Sequence, residues 1–270
     1  MPFNPNTEQH AIVEVVFGVQ LARNLSAKEL DALVAAHKEH FSDLPKVHRP
    51  QIIQFAFGEG SPPADLPIMQ PTAGVMFDAM KRDGSLDWRL RADDNRLFVN
   101  CLSYTRWADV WPTARKFLAA AGDIVVGADN AVTGFILQYI DVFRWAGDPS
   151  TYNVDAMLDR NSTHLPGSIF DCGPLWHLHQ GWYRNVTDEP KGRVLERVHL
   201  DAVLEEKQVP IVKVDTYIQL ELSQKRSWAA IFTGESPIGD ALFDKLHEQD
   251  KDILKSILTE DMARRVALID

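Results

Sequence analysis

Cysteine and positive charge are both scarce in this sequence. Its 270 residues hold two cysteines, Cys101 and Cys172, and 28 Lys and Arg against 38 Asp and Glu, a formal net charge of −10. Two cysteines without a C-x-x-C pair exclude a disulfide framework and a cysteine-rich zinc site. The first ten residues are polar and lack the basic and apolar regions of a secretory leader, so the expected compartment is the reducing cytoplasm. The charge deficit disfavours nucleic acid and anionic membrane, which are held largely through Lys and Arg. It favours instead a protein partner, a basic one above all, or a small ligand. Long apolar runs are also missing: Ala11 to Leu21 is broken by Glu14 and Gln20, and Val132 to Trp145 by Gln138, Asp141 and Arg144. Neither approaches the roughly 20 apolar residues of a membrane span. Glycine and proline, 15 of each, are too few and too scattered for a low-complexity chain. No P-loop, dinucleotide-binding glycine fingerprint, zincin helix, nucleophile elbow or calcium loop is present, so no cofactor is implied and catalysis is disfavoured.

What is there is a globular composition, 45% hydrophobic, with a clear succession of elements. Val13, Val15, Phe17, Val19 and Leu21 alternate with their neighbours at the period of a strand. Ser26-Ala-Lys-Glu29 is a capping box, so a helix starts at Ser26; Leu30, Leu33, Val34, His37 and Phe41 give it an inward stripe, with His37 at the core margin. A strand is expected at Gln51 to Phe57, and a long surface loop from Gly58 to Gly74. Strands then follow at Val75 to Arg82, Leu86 to Ala92 and Arg96 to Ser103, with turns at Asp83-Gly84 and Asp93-Asp94-Asn95. A helix from about Asp109 is expected to stop at Gly122.

After the long strand Val132 to Trp145 the order recurs: a short helical stretch near Asn153, strands at Ser168 to Arg184, Arg193 to Glu205 and Ile211 to Ser223, and a helix opening at Ser236-Pro237. Thr259 caps a last short helix. The expected fold is α+β, a mainly antiparallel sheet with helices on one face, in two similar halves (β-α-βββ-α twice) over residues 1–125 and 126–270 that share one core.

Several words of the sequence, in order, resemble a bacterial family that is distributed sporadically across genomes and has no assigned function. They are Ile12-Val-Glu-Val-Val-Phe-Gly-Val-Gln20, Arg96-Leu-Phe-Val-Asn100 with Trp107, Trp111 and Phe117, Leu137-Gln-Tyr-Ile-Asp141, Leu246-His247, and Ser256-Ile-Leu-Thr-Glu260. The chain departs from the family's pattern where Cys101 replaces the Trp that usually follows the Asn, and where Asp141 replaces a common Asn. The resemblance implies a common fold and a patchy, mobile-element-associated occurrence, which suits an antitoxin, immunity or defence-accessory role. It carries over no activity and no catalytic residue.

Five residues are singled out for ligand or partner binding: Asn100, Tyr139, Asp141, His177 and His179. Asn100, Tyr139 and Asp141 are polar groups on apolar strands, which must be hydrogen-bonded or functional; they are expected to edge an apolar cavity between the sheet and a long helix. His177 and His179, two apart on a strand, point the same way. A metal would need further ligands from Asp171, Glu196, His199 or Asp201; a solvent-facing polar row is the reading preferred. Arg89, Arg91 and Arg106 could hold an anion, but pairing with neighbouring carboxylates is preferred. Cys172, before Gly-Pro, is expected in a turn rather than as a nucleophile.

Overall fold

A computed structural model describes residues 2–50, 53–54, 68–69, 74–127, 129–205 and 208–269. Ten strands form one antiparallel sheet: β1 (Phe3–Pro5), β2 (Ile12–Leu21), β3 (Lys46–His48), β6 (Gly74–Met80), β7 (Leu86–Asp93), β8 (Arg96–Cys101), β9 (Val132–Trp145), β10 (Trp176–Val186), β11 (Gly192–Glu205) and β12 (Val209–Arg226). A two-residue pair, β4 (Ile53–Gln54) with β5 (Ile68–Met69), stands apart from it. The rest of the expected strand at Gln51 to Phe57 and of the loop before Gly74 lies outside the described residues. Five α-helices complete the list: α1 (Ala27–Ala35), α2 (His37–His40), α3 (Trp107–Val125), α4 (Gly239–Ile257) and α5 (Glu260–Arg265).

The strand order β10-β11-β12-β9-β2-β8-β7-β6-β3 places β2 and β9 side by side and antiparallel at the centre. Each is flanked by the last strand of its own meander, so β2-β8-β7-β6 and β9-β12-β11-β10 run outward in the same order. The two meanders therefore have the same strand order about the central pair, α3 following one and α4 the other. The agreement is incomplete. Where the first half has α1, the second has three single 3₁₀ turns, at Pro149–Thr151, Val154–Ala156 and Gly167–Asp171. The last of these replaces the start of the strand expected from Ser168, because Gly167 and the Gly173-Pro174 turn interrupt the extended chain.

Alternation puts Val15, Phe17, Val19 and Leu21 of β2 beneath the helices, with Phe135, Leu137, Tyr139, Phe143 and Trp145 of β9, and Val212, Val214, Ile218 and Leu220 of β12. One hydrophobic core runs from Phe3 to Val266 under this face. The opposite face carries only a small apolar cluster, Val16, Phe98 and Ile136 with Tyr217 against it, amid polar cross-strand neighbours. The capping box at Ser26 forms, with the Ser26 hydroxyl accepting from the Glu29 amide and the Glu29 carboxylate accepting from the Ser26 amide. Beyond it the helix breaks at Ala36 and resumes as the single turn α2. His37 stacks on Phe77 and bonds the Leu44 carbonyl through its ring nitrogen.

Gly122 does not end α3, which continues to Val125. The glycine instead admits the indole of Trp228: a Cβ there would lie 1.9 Å from Trp228 Cζ2. Close approach of a side chain, rather than a left-handed terminus, is what this glycine provides. At the far end, Ser236 and Pro237 precede the helix without capping it, and α4 starts at Gly239.

Candidate functional site

A cavity of about 510 Å³ opens at the end of the sheet where β9 and β2 meet the start of α3 and the last turns of α4. The pairing of β2 with β9 shifts register between Ile12 and Glu14, a bulge that leaves Ile12 opposite Asp141. Bulges re-aim side chains where regular pairing is interrupted. On β9 the period of two sends both Tyr139 and Asp141 to the helix side. Across the ladder Thr216 of β12 stands opposite Tyr139, and Val214 opposite Asp141. Four α4 residues, His247, Asp250, Lys251 and Leu254, share one face at spacings of three and four and line the cavity. Tyr104 and Trp107 enter from the β8–α3 connection, and His10 from the segment before β2.

The aromatic groups lock one another in place. Trp107 stacks on His247 at 4.2 Å between ring centres with planes 5° apart. Tyr104 meets Tyr139 edge-on at 6.0 Å and His10 edge-on at 5.3 Å. The Tyr139 hydroxyl and His247 Nδ1 are 2.9 Å apart. Burial lowers the His247 pKa to about 4, so the ring is neutral and shares a single hydrogen bond with the tyrosine hydroxyl, its direction set by the tautomer. Burial likewise raises the Tyr139 and Tyr104 hydroxyls, which stay protonated.

The two carboxyls of the site are buried more deeply than any charged group should be without a partner. Asp141 is 2% exposed and Asp250 5%. Asp250 accepts one hydrogen bond, from the Thr216 hydroxyl, and burial pushes its pKa up to about 7. Asp141 Oδ2 has no hydrogen-bond partner among the described residues. Burial, with the nearby Asp250 charge added, holds the Asp141 carboxyl well above the usual carboxylate range. Desolvation favours the neutral acid in both. Positive side chains do line the rim, yet each is engaged elsewhere: Arg106 with Asp109 at 2.8 Å, Lys251 with Glu248 at 2.9 Å, and Arg265 with the Phe3 carbonyl at 2.5 Å and Asn4 Oδ1 at 2.6 Å.

Of the five residues singled out from sequence, the structure brings two together here, Tyr139 and Asp141. Asn100 lies on the opposite face of the sheet, since Val99 and Cys101 are the β8 residues that point to the helices; its amide donates to Glu14 Oε1 at 2.6 Å. His177 and His179 stand exposed on β10, facing Asp201 and His199 across the ladder. The His179 and His199 rings are 5.2 Å apart, and His199 pairs with Asp201 at 3.1 Å. Among the described residues no group of three or more His, Cys, Asp and Glu is disposed to hold a metal ion. The arginines lie against carboxylates, Arg89 on Asp78 at 2.7 Å and Arg91 on Asp93 at 2.9 Å. Cys172 is exposed and its thiol donates to the Ser168 carbonyl.

Sequence reasoning missed Tyr104, Trp107, His247 and Asp250. A signal for Asp250 exists: the apolar stripe Leu242, Leu246, Ile253, Ile257 of α4 skips the turn at Gln249 and Asp250, which marks a polar insertion in a buried face. No helix among the described residues is long and apolar enough to cross a membrane. No protein-family model matches the chain, and no curated protein matches it.

Proposed function

We propose that the chain is a small-ligand-binding protein whose site is the cavity between β9, the start of α3 and the end of α4. The supporting observation is the pairing of a volume of about 510 Å³ with a buried carboxyl, Asp141, whose Oδ2 has no partner among the described residues. Pockets for small molecules are typically of this size, largely apolar, and carry a few placed polar groups. A buried polar atom left unpaired costs on the order of 1–3 kcal/mol, and a ligand that satisfies it recovers that energy. The rings of Tyr104, Trp107 and His247 supply the apolar walls. Native mass spectrometry of protein from its own host, joined to a thermal-shift screen of metabolites, tests the reading. A retained small molecule, or a compound whose stabilisation disappears in Asp141→Asn, supports it. A screen without any stabilising compound, from a protein that carries no adduct, refutes it.

A second reading is a protein partner of basic character, in an antitoxin, immunity or defence-accessory role. It draws on the net charge of −10 and on β10, a sheet edge that pairs only with β11 among the described residues and leaves Tyr183 62% exposed. An open edge is a site where another chain can add a strand. Pull-down from the native host tests this, and a protein that retains no stoichiometric partner at low and moderate salt refutes it.

A further inference from the structure

Resting on the pocket reading, the inference here concerns the chemistry of the ligand. We propose that the cavity takes an organic cation, a protonated amine or amidine on a flat apolar body, with Asp141 as its counter-ion and Tyr104, Trp107 and His247 as its walls. Three observations carry this. First, among the described residues Asp141 Oδ2 is buried without a partner, and the one side-chain bond to Asp250 is from a hydroxyl, that of Thr216. Among the described residues neither carboxyl has a cationic side chain bonded to it, although Arg106, Lys251 and Arg265 all line the cavity and have the reach of long side chains. Those three are tied to Asp109, to Glu248, and to the Phe3 carbonyl with Asn4, so the protein places its own positive charge at the rim and leaves the floor acidic.

Second, the walls are aromatic. The face of a phenol ring such as that of Tyr104 attracts a cation through its quadrupole, and does so most strongly where water is excluded; one face of Trp107 is already covered by His247. Third, the acids already meet the condition for charge-coupled recognition. Without a ligand, burial opposes the ionisation of both acids; a cation entering the site supplies the missing partner and favours the ionised form of Asp141. A neutral ligand offers no such compensation, and an anion would face the ionisable floor without a free cation beside it.

Four probes of similar size separate these cases: benzamidine and 2-phenylethylamine as cations, 2-phenylethanol as the neutral analogue, and phenylacetate as the anion. Calorimetric titration of the full chain at neutral pH, in millimolar probe, is the measurement. At least one cation is expected to bind about tenfold or more tightly than 2-phenylethanol, the value of one charge-assisted hydrogen bond, with phenylacetate weaker still. In Asp141→Asn the cation preference falls to near one while 2-phenylethanol binding persists. The charge series in the unmodified chain stands even where that variant folds poorly. If 2-phenylethanol or phenylacetate binds as tightly as the cations, the inference fails and the pocket reading stands. If none of the four binds, the inference fails, and the pocket reading falls with it only when the metabolite screen is also empty and the protein carries no adduct.

Discussion

Replacing Asp250 by asparagine should stabilise the protein at alkaline pH. The side chain is 5% exposed, has one bonded partner, the Thr216 hydroxyl, and has its pKa raised by burial from 3.8 to about 7. In the unfolded chain the carboxyl loses its proton near pH 4, whereas in the folded protein it keeps it until about pH 7. Between those values the folded state binds one proton more, so stability falls as pH rises, by roughly 1.4 kcal/mol per pH unit. Across the window this amounts to roughly 4 kcal/mol, fully lost above pH 7. Asparagine is close in shape, can accept the Thr216 proton through its carbonyl, and carries no charge to desolvate. Asp250→Asn should therefore exceed the unmodified protein at pH 8 by about 2–4 kcal/mol, the lower figure allowing for an unpaired amide. For a chain of this length that is a rise in Tm of roughly 4–7 °C. Urea denaturation from pH 4.5 to 8 measures it, and the ΔG–pH slope of the variant between pH 4.5 and 6.5 should be shallower by about one proton. Parallel slopes, or a variant less stable at pH 8, would refute the claim that the folded protein holds this acid neutral.

His247→Ala removes the hydrogen-bond partner of the Tyr139 hydroxyl and the ring under Trp107; a loss of about 2–4 kcal/mol in chemical denaturation is expected. Gly122→Ala forces a methyl into the Trp228 ring and should cost about 1–3 kcal/mol, much of it recovered when Trp228 is also reduced to Leu, as a double-mutant cycle would show. Exposed His177 and His179 lie far from any such constraint, so changing both to Ala should move stability by less than about 0.5 kcal/mol, with no change in Tm on adding zinc or a chelator. Asn100→Ala, on the face of the sheet away from the helices, should leave benzamidine affinity within about twofold, and a larger loss by calorimetry would show that the two faces are coupled.

Much of the architecture was legible because it rests on local periodicity. The alternation of β2, the capping box at Ser26, the hairpin turns and the stripe of α4 each answer to a rule spanning fewer than about ten residues. Boundaries failed where a distant residue decided them. Gly122 reads as a helix terminator until Trp228, more than a hundred positions later, occupies the space that its hydrogen leaves. The same reason divides the site residues. Tyr139 and Asp141 stand out as polar groups in a strand apolar on both faces, so burial itself betrays them. Asn100 shares that signature, but the parity of β8 turns it to the other side, where Glu14 satisfies it. Asp250 and His247 come from a helix that packs over β9 only in three dimensions, and their proximity to Asp141 has no trace in spacing.

The central antiparallel pair gives the molecule two corresponding ends, and they have been put to different uses. At one, the chain leaving β8 for α3 delivers Tyr104 and Trp107 to the rim of an open chamber. At the other, the chain leaving β12 for α4 delivers Trp228, whose indole packs against α3 at Gly122. Reducing Trp228 to alanine should leave a void beside Gly122 of α3, a vacancy distinct from the open cavity, which Trp228 does not line.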